Sequence, residues 1–373
     1  MEPLKNSFGP DVPVWVADVI EAVFPDFGRE TFLQVALDGY EELELTPRAR
    51  HISKALAQFL PTDRDHAIRI LIESLGPEDG WNELKGMESF RFLPFVFFVA
   101  EQGLDCFETS MRAQYELTKR FTAEFSIRAF IERDPEKTLG RLAEWARDPN
   151  AHVRRLVSEG TRPRLPWAPR LRSVQKDPSP VLELLEVLRD DPEEYVRRSV
   201  ANNLNDISKD HPDLAIDVAE RWWVDAGPDR RRLVRHALRT LVKAGNPRAL
   251  AVLGYDADSA ITIRKFTVTP QEIQIGGKVR IEVELENPSK EEARALVDLR
   301  IHFVKANGST RPKVFKGAEL ALKAGGFALV RKSVSLAQHS TRKHYPGAHR
   351  VEVMLNGTIH PGDEFELRLR EQT

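Results

Sequence analysis

Glu159 and Asp206 are set into two arginine-rich stretches that repeat one another, and Trp167 lies between them in sequence. Residues 148–159 read DPNAHVRRLVSE, and residues 191–202 read DPEEYVRRSVAN. Glu159 follows Arg155 by four positions, so the two share one helical face. Asp206 follows Asn202 by four, and Asn202 is the repeat counterpart of Glu159. The two acids therefore stand on neighbouring repeats, one turn apart. Isolated carboxylates and an indole among arginines suit chemistry on a polyanion. Guanidinium forks match phosphate oxygens. A carboxylate stabilises a cationic, sugar-like transition state or orients a water. A displayed tryptophan stacks on a base or sugar. The same residues admit a plainer reading, in which both acids only pair with Arg155 and Arg198 and Trp167 fills a seam between repeats. Glu124 opens another helix and by pattern alone is an ordinary surface acid.

The elements that must position these groups are legible as periods. Val153 and Val196 stand 43 residues apart, and a weaker third copy, RRLVRHALRT, puts Val234 a further 38 on. Such spacings belong to two-helix solenoid repeats of the HEAT and armadillo kind. Arg154 and Arg155, Arg197 and Arg198, and Arg235 and His236 follow equivalent core valines, so they should form a ladder along one face. Residues 151–175 carry six arginines against one acid, although the net charge of the whole chain is only −2. That local field governs association with a polyphosphate. The expected nucleic-acid contacts are Arg154, Arg155, Arg162, Arg164, Arg197, Arg198, Asn203, Arg235 and Arg239.

Helical spacing runs from about residue 11 to 255, with start signals at Thr46-Pro47, Thr62-Asp63 and Asp134-Pro135-Glu136 and a loop at 76–87. Gly76, Gly103 and Gly245 fit helix ends. After Tyr255 alternation takes over, as in KVRIEVELEN (278–287) and ALVDLRIHFV (295–304). Seven or so short strands predict a β-sandwich, with Tyr345 placed as a tyrosine corner and Asn307-Gly308 and Asn356-Gly357 as hairpin turns. The fold class expected is an all-α HEAT-like helical solenoid (1–256) followed by a C-terminal immunoglobulin-like β-sandwich (261–373).

Composition excludes several classes. The longest apolar run, FLPFVFFVA (92–100), is too short to span a bilayer. The N-terminus lacks the layout of a signal peptide, and a single cysteine, Cys106, leaves no internal disulfide. P-loop, dinucleotide, zincin and nucleophile-elbow motifs are absent from the sequence. The chain reads as a cytoplasmic monomer with no metal, cofactor or membrane partner.

The run HVRRLVSEGTRPRLPWAP (152–169), followed by YVRRSVANNLNDISKDHPD (195–213), resembles the bacterial HEAT-repeat DNA glycosylases that excise alkylated bases. The similarity is to the AlkC branch of the AlkC/AlkD type, including members with a C-terminal immunoglobulin-like domain. The resemblance implies a monofunctional N-glycosylase acting on 3-methyladenine and 3-methylcytosine in double-stranded DNA, with the lesion left largely in the stack. It makes Glu159, Asp206, Glu124 and Trp167 the catalytic candidates. Basic turns near Lys313, Lys316, Arg342 and Lys343 would let the sandwich grip the duplex. The alternative is a non-catalytic HEAT scaffold that binds nucleic acid or an acidic protein.

Overall fold

The computed structural model describes residues 4–76, 87–338 and 343–369. Among these, sixteen α-helices precede eight β-strands. The helices are α1 (Asp11–Glu21), α2 (Arg29–Leu37), α3 (Leu45–Phe59), α4 (Arg64–Ser74), α5 (Leu93–Gln102), α6 (Phe107–Arg120), α7 (Ser126–Arg133) and α8 (Pro135–Trp145). They continue as α9 (Ala151–Gly160), α10 (Arg172–Lys176), α11 (Ser179–Leu188), α12 (Glu194–Ile207), α13 (Pro212–Trp223), α14 (Pro228–Ala237), α15 (Arg239–Lys243) and α16 (Pro247–Val252). Several start where the side chains demand it. Asp63 accepts from the amides of Asp65 and His66, Asp134 from Lys137, and Asn150 from His152. Each such cap stabilises its helix by about 0.5–2 kcal/mol. The apolar run at Phe92 becomes α5, buried almost throughout. No helix among the described residues is long and apolar enough to cross a membrane. Apart from its ends, the loop expected at 76–87 lies outside the described residues.

The three sequence copies fall on α9, α12 and α14. Helix α9 packs against both α6 and α12, and α12 against both α9 and α14. An arginine links each copy to the next. Arg154 bonds the carbonyls of Asp148 and Pro149 at its own turn and reaches Asp191 of the next repeat, Nε to Oδ2 at 2.6 Å. Arg197 bonds the carbonyls of Asp191 and Pro192 in the same way and reaches Asp229 at 3.2 Å. The Asp-Pro turn and the arginine five and six residues later thus form a repeated staple.

Contacts divide the chain into two units, one of residues up to 210 with 227–237, the other of 211–226 with 238–373. In the second unit α13, α15 and α16 accompany the sandwich. Asn356 ties them to it, donating to the carbonyls of Asp256 and Arg294 at 2.7 and 3.0 Å. The strands are β1 (Thr262–Thr269), β2 (Glu272–Gln274), β3 (Lys278–Glu286), β4 (Ala293–Val304), β5 (Thr310–Leu322), β6 (Phe327–Ser335), β7 (Gly347–Leu355) and β8 (Thr358–Arg368). One sheet has the order β1-β3-β6 and the other β2-β8-β7-β4-β5. Val279, Ile281, Val283 and Leu285 of β3 alternate into a shared core with Leu299, Val353 and Phe365. Period-two burial of this kind fixes the register, since a one-residue slip would expose the whole set.

Asn356 (φ 46) and Gly357 (φ 85) form the turn between β7 and β8, and Gly308 (φ 77) sits in the turn between β4 and β5. Among the described residues the Tyr345 hydroxyl has no hydrogen-bond partner, and residues 339–342 just upstream, where a tyrosine corner would bond, lie outside them; the neighbouring His344 and His349 pack on Phe303. The expectation of basic turns is corrected. Lys313 and Lys316 are not turn residues but lie within β5, where Lys316 pairs with Glu319. Arg342 lies outside the described residues, and Lys343 is exposed.

Candidate active site

Three acids from three segments converge in the first unit. Glu159 sits near the C-terminal end of α9, Asp206 near that of α12, and Glu124 in the turn just before α7. Two arginines run between them. Arg155 contacts Glu124 (Nη1 to Oε2, 2.7 Å) and Glu159 (Nη2 to Oε1, 3.6 Å). Arg162 contacts Glu159 (Nη1 to Oε1, 2.6 Å) and Asp206 (Nε to Oδ2, 2.8 Å). The order is therefore Glu124, Arg155, Glu159, Arg162, Asp206, a row of alternating charge. Burial alone would lower both arginine pKa values, but the flanking carboxylates outweigh it and hold them above the ordinary arginine value.

The acids differ in access. Glu159 is 8% exposed; both of its oxygens are engaged, since Ser199 donates to Oε2 at 2.6 Å. Asp206 is 2% exposed, with Arg162 on one oxygen and Lys209 on the other at 2.7 Å. Glu124, at 13%, is the most open. Thr122 and Arg155 both meet its Oε2, and Oε1 has no partner among the described residues.

Glu124, Arg155 and Glu159 form the polar wall of a cleft of about 370 Å³, with Thr122 beside them. Its other wall is apolar: Phe90, Phe121, Phe125, Leu165, Pro166 and Trp167. The rings of Phe90 and Phe121 lie 5.1 Å apart. Carboxylates facing aromatic rings make a site for a cation, because both the formal charge and the ring faces attract positive charge. Asp206 is not part of the lining; it stands behind Arg162.

Trp167 does not fill a seam. It is 66% exposed, and its backbone takes the left-handed region at φ 64, a strain of about 1–2 kcal/mol for an L residue. Arg128 of α7 reaches the two ends of its loop. Its Nη1 donates to the carbonyls of Gly160 and Arg162 at 3.0 and 2.6 Å, and its Nη2 to that of Pro169 at 2.5 Å. Burial lowers the Arg128 pKa to about 10.

The expected arginine ladder is rearranged. Arg154 and Arg197 are the inter-repeat staples, Arg162 bridges the acids, and Asn203 is fully buried, donating to the Ser158 carbonyl at 2.8 Å and to Thr161. Their donors are taken up inside the fold by these partners. Arg164 is held by Asp210, Nε to Oδ2 at 3.0 Å. Arg239 opens α15 in the second unit. Arg198 and Arg235 remain exposed and without an ion pair among the described residues. Arg198 lines a second cleft with Arg197, Arg232 and His236, and with the acids Glu194 and Asp229; His236 meets the Asn202 oxygen at 2.9 Å. Arg198 therefore does not pair with Asp206.

Sequence reasoning missed the phenylalanines, Tyr195, Ser199 and Arg128. Tyr195 precedes the repeat valine and carries Arg155 over its ring at 5.4 Å; its place in the repeat was the available signal. Phe121 and Phe125 flank Glu124 in one short segment and Phe90 comes from another, so they share no pattern with the repeat. Cys106 is partly exposed, and burial followed by nearby aspartates raises its pKa, so its thiolate is disfavoured.

The family of DNA alkylation repair enzymes matches residues 121–241, and the C-terminal Ig-like domain of the uncharacterised protein YhaZ matches residues 262–369. The uncharacterized protein YhaZ of Bacillus subtilis (strain 168) is 35% identical over 368 residues, covering 98% of this chain and 100% of that protein. The structure of the Pseudomonas fluorescens alkylpurine DNA glycosylase AlkC, bound to DNA containing an abasic-site analogue, is also similar. It superposes with a TM-score of 0.90 at 38% identity, over 98% of this chain and 100% of that one. Both similarities run through helices and sandwich alike, and the chain belongs to the AlkC family of DNA alkylation repair proteins.

Proposed function

We propose that this chain is a DNA N-glycosylase that hydrolyses the glycosidic bond of cationic alkylated bases in duplex DNA, 3-methyladenine and 3-methylcytosine among them. The observation that carries the reading is the cleft in which Glu124 and Glu159 face Trp167 and three phenylalanines. A cationic base leaves as a neutral one, so it needs little help from a general acid. The positive charge moves to the deoxyribose as the C1′–N bond breaks and its electron pair goes to the base. Glu159 is placed to stabilise that charge. Glu124, with one uncommitted oxygen, orients a water toward C1′ and accepts its proton, which then passes to solvent. Trp167 offers its face to the sugar or lesion. Asp206 acts through Arg162, fixing the guanidinium that fixes Glu159.

Among the described residues the polar lining holds charges already paired with one another and one hydroxyl, that of Thr122. It offers field and aromatic faces rather than a set of donors and acceptors for a base edge. This supports recognition of the lesion by charge, with the base left largely in the stack. Exposed Arg198 and Arg235 serve as phosphate contacts. The test is base release from methylated duplex DNA. Free 3-methyladenine and 3-methylcytosine, with no release of unmodified purines, is the expected result. DNA binding that falls steeply with salt but yields no free base would leave a non-catalytic nucleic-acid scaffold.

A further inference from the structure

The indole that faces the cleft is held in an unfavourable backbone conformation and is mostly in solvent, so its own packing does not explain its position. What fixes the loop is hydrogen bonding at its ends. The Leu171 amide donates to the Pro163 carbonyl at 3.2 Å, closing the loop. From beneath, one guanidinium takes the carbonyls of Gly160, Arg162 and Pro169. That guanidinium, of Arg128, is itself buried and makes no ion pair with a carboxylate among the described residues. Its Nε has no hydrogen-bond partner among the described residues. A buried charge without a counter-ion is a poor way to gain stability. It is a good way to fix several carbonyls at once, since its planar fork carries five donors in set directions. Arg128 also lies four residues after Glu124, at the other end of a short segment whose first acid lines the cleft.

We infer that Arg128 is a positioning residue for the glycosylase reaction: it sets the Trp167 loop against the carboxylates without itself touching the substrate. The inference rests on the reading given under Proposed function. It specifies how Arg128 acts: its effect on base release passes through Trp167, whereas a general structural role would act independently of that side chain.

The test is a double-mutant cycle on single-turnover base release, with Arg128→Met, Arg128→Lys, Trp167→Ala and the double variant Arg128→Met/Trp167→Ala. Affinity for a duplex containing an abasic-site analogue is measured alongside, together with hydrogen exchange of the Leu171 amide. Arg128→Met is expected to slow release by at least about tenfold, to change duplex affinity by no more than about twofold, and to accelerate exchange at Leu171. It should add little to Trp167→Ala, and Arg128→Lys should restore part of the rate. Full additivity in the double variant, or an unchanged rate in Arg128→Met, would overturn the proposal. If Arg128→Met fails to fold, Arg128→Lys in both backgrounds supplies the same cycle. If the wild-type protein releases no base, the glycosylase reading fails, whereas exchange at Leu171 reports separately on whether Arg128 holds the loop.

Discussion

Arg197 and Arg198 are neighbours in sequence with opposite uses. Arg197 directs its donors to the carbonyls of Asp191 and Pro192 and to Asp229, whereas Arg198 is exposed and has no ion pair among the described residues, although both line the same cleft. Arg197→Ala should therefore cost stability, by about 1–3 kcal/mol, because buried carbonyls lose their donor. Affinity of the folded fraction for DNA should hardly change. Arg198→Ala should leave stability within about 0.5 kcal/mol of wild type and reduce the slope of log affinity against log salt by about one. Denaturant melts and a salt series on one duplex check both, and the reverse assignment of effects would contradict the staple. The sequence displays the same VRR string at 153–155 and 196–198 and cannot divide the labour, because the division depends on which arginine faces the carbonyls of the preceding turn. The acids divide for a similar reason. Glu159 and Asp206 were both legible as unusual, but only the fold brings Arg162 between them and moves Asp206 off the cleft surface.

At the scale of elements, the site is a meeting of α7, α9 and α12 with one proline-stiffened loop. Gly160, at the end of α9, lies against the Ile127 side chain of α7. A Cβ there would stand 2.5 Å from Cγ2 of Ile127, a buried side chain in a packed seam. Gly160→Ala should force the two helices apart, destabilising the protein by about 1–3 kcal/mol. Because Glu159 precedes this glycine and Glu124 precedes α7, the same movement should slow base release more than it weakens duplex binding. A melt and single-turnover kinetics test this, and unchanged values of both would show that the seam is looser than described. Periodicity made these helices legible, through the repeated valines and the aspartate caps. It could not show the cleft, where Phe121 and Phe125 of one connecting segment meet Phe90 of another only in space.

At the scale of the molecule, the change from helical to alternating spacing near Tyr255 marked a helical region followed by a sandwich, and strands from Thr262 onward bear this out. The net charge of −2 gave no hint of a polyanion partner, whereas the clustering of arginines between 151 and 175 did. What composition could not convey is how many of those arginines are spent internally, neutralising acids and stapling repeats. The proposed reaction turns on Glu159, which receives Arg155, Arg162 and Ser199 and faces the aromatic wall. The measurement that tests it most directly is the single-turnover rate of 3-methyladenine release by Glu159→Gln beside wild type, with affinity for an abasic-site duplex measured on both. The substitution keeps the shape, removes the charge and exchanges one acceptor oxygen for an NH2 donor. The account predicts a loss of at least about a hundredfold in rate, roughly 3 kcal/mol of transition-state stabilisation, with affinity retained. A rate equal to wild type in a folded, DNA-binding variant would contradict it.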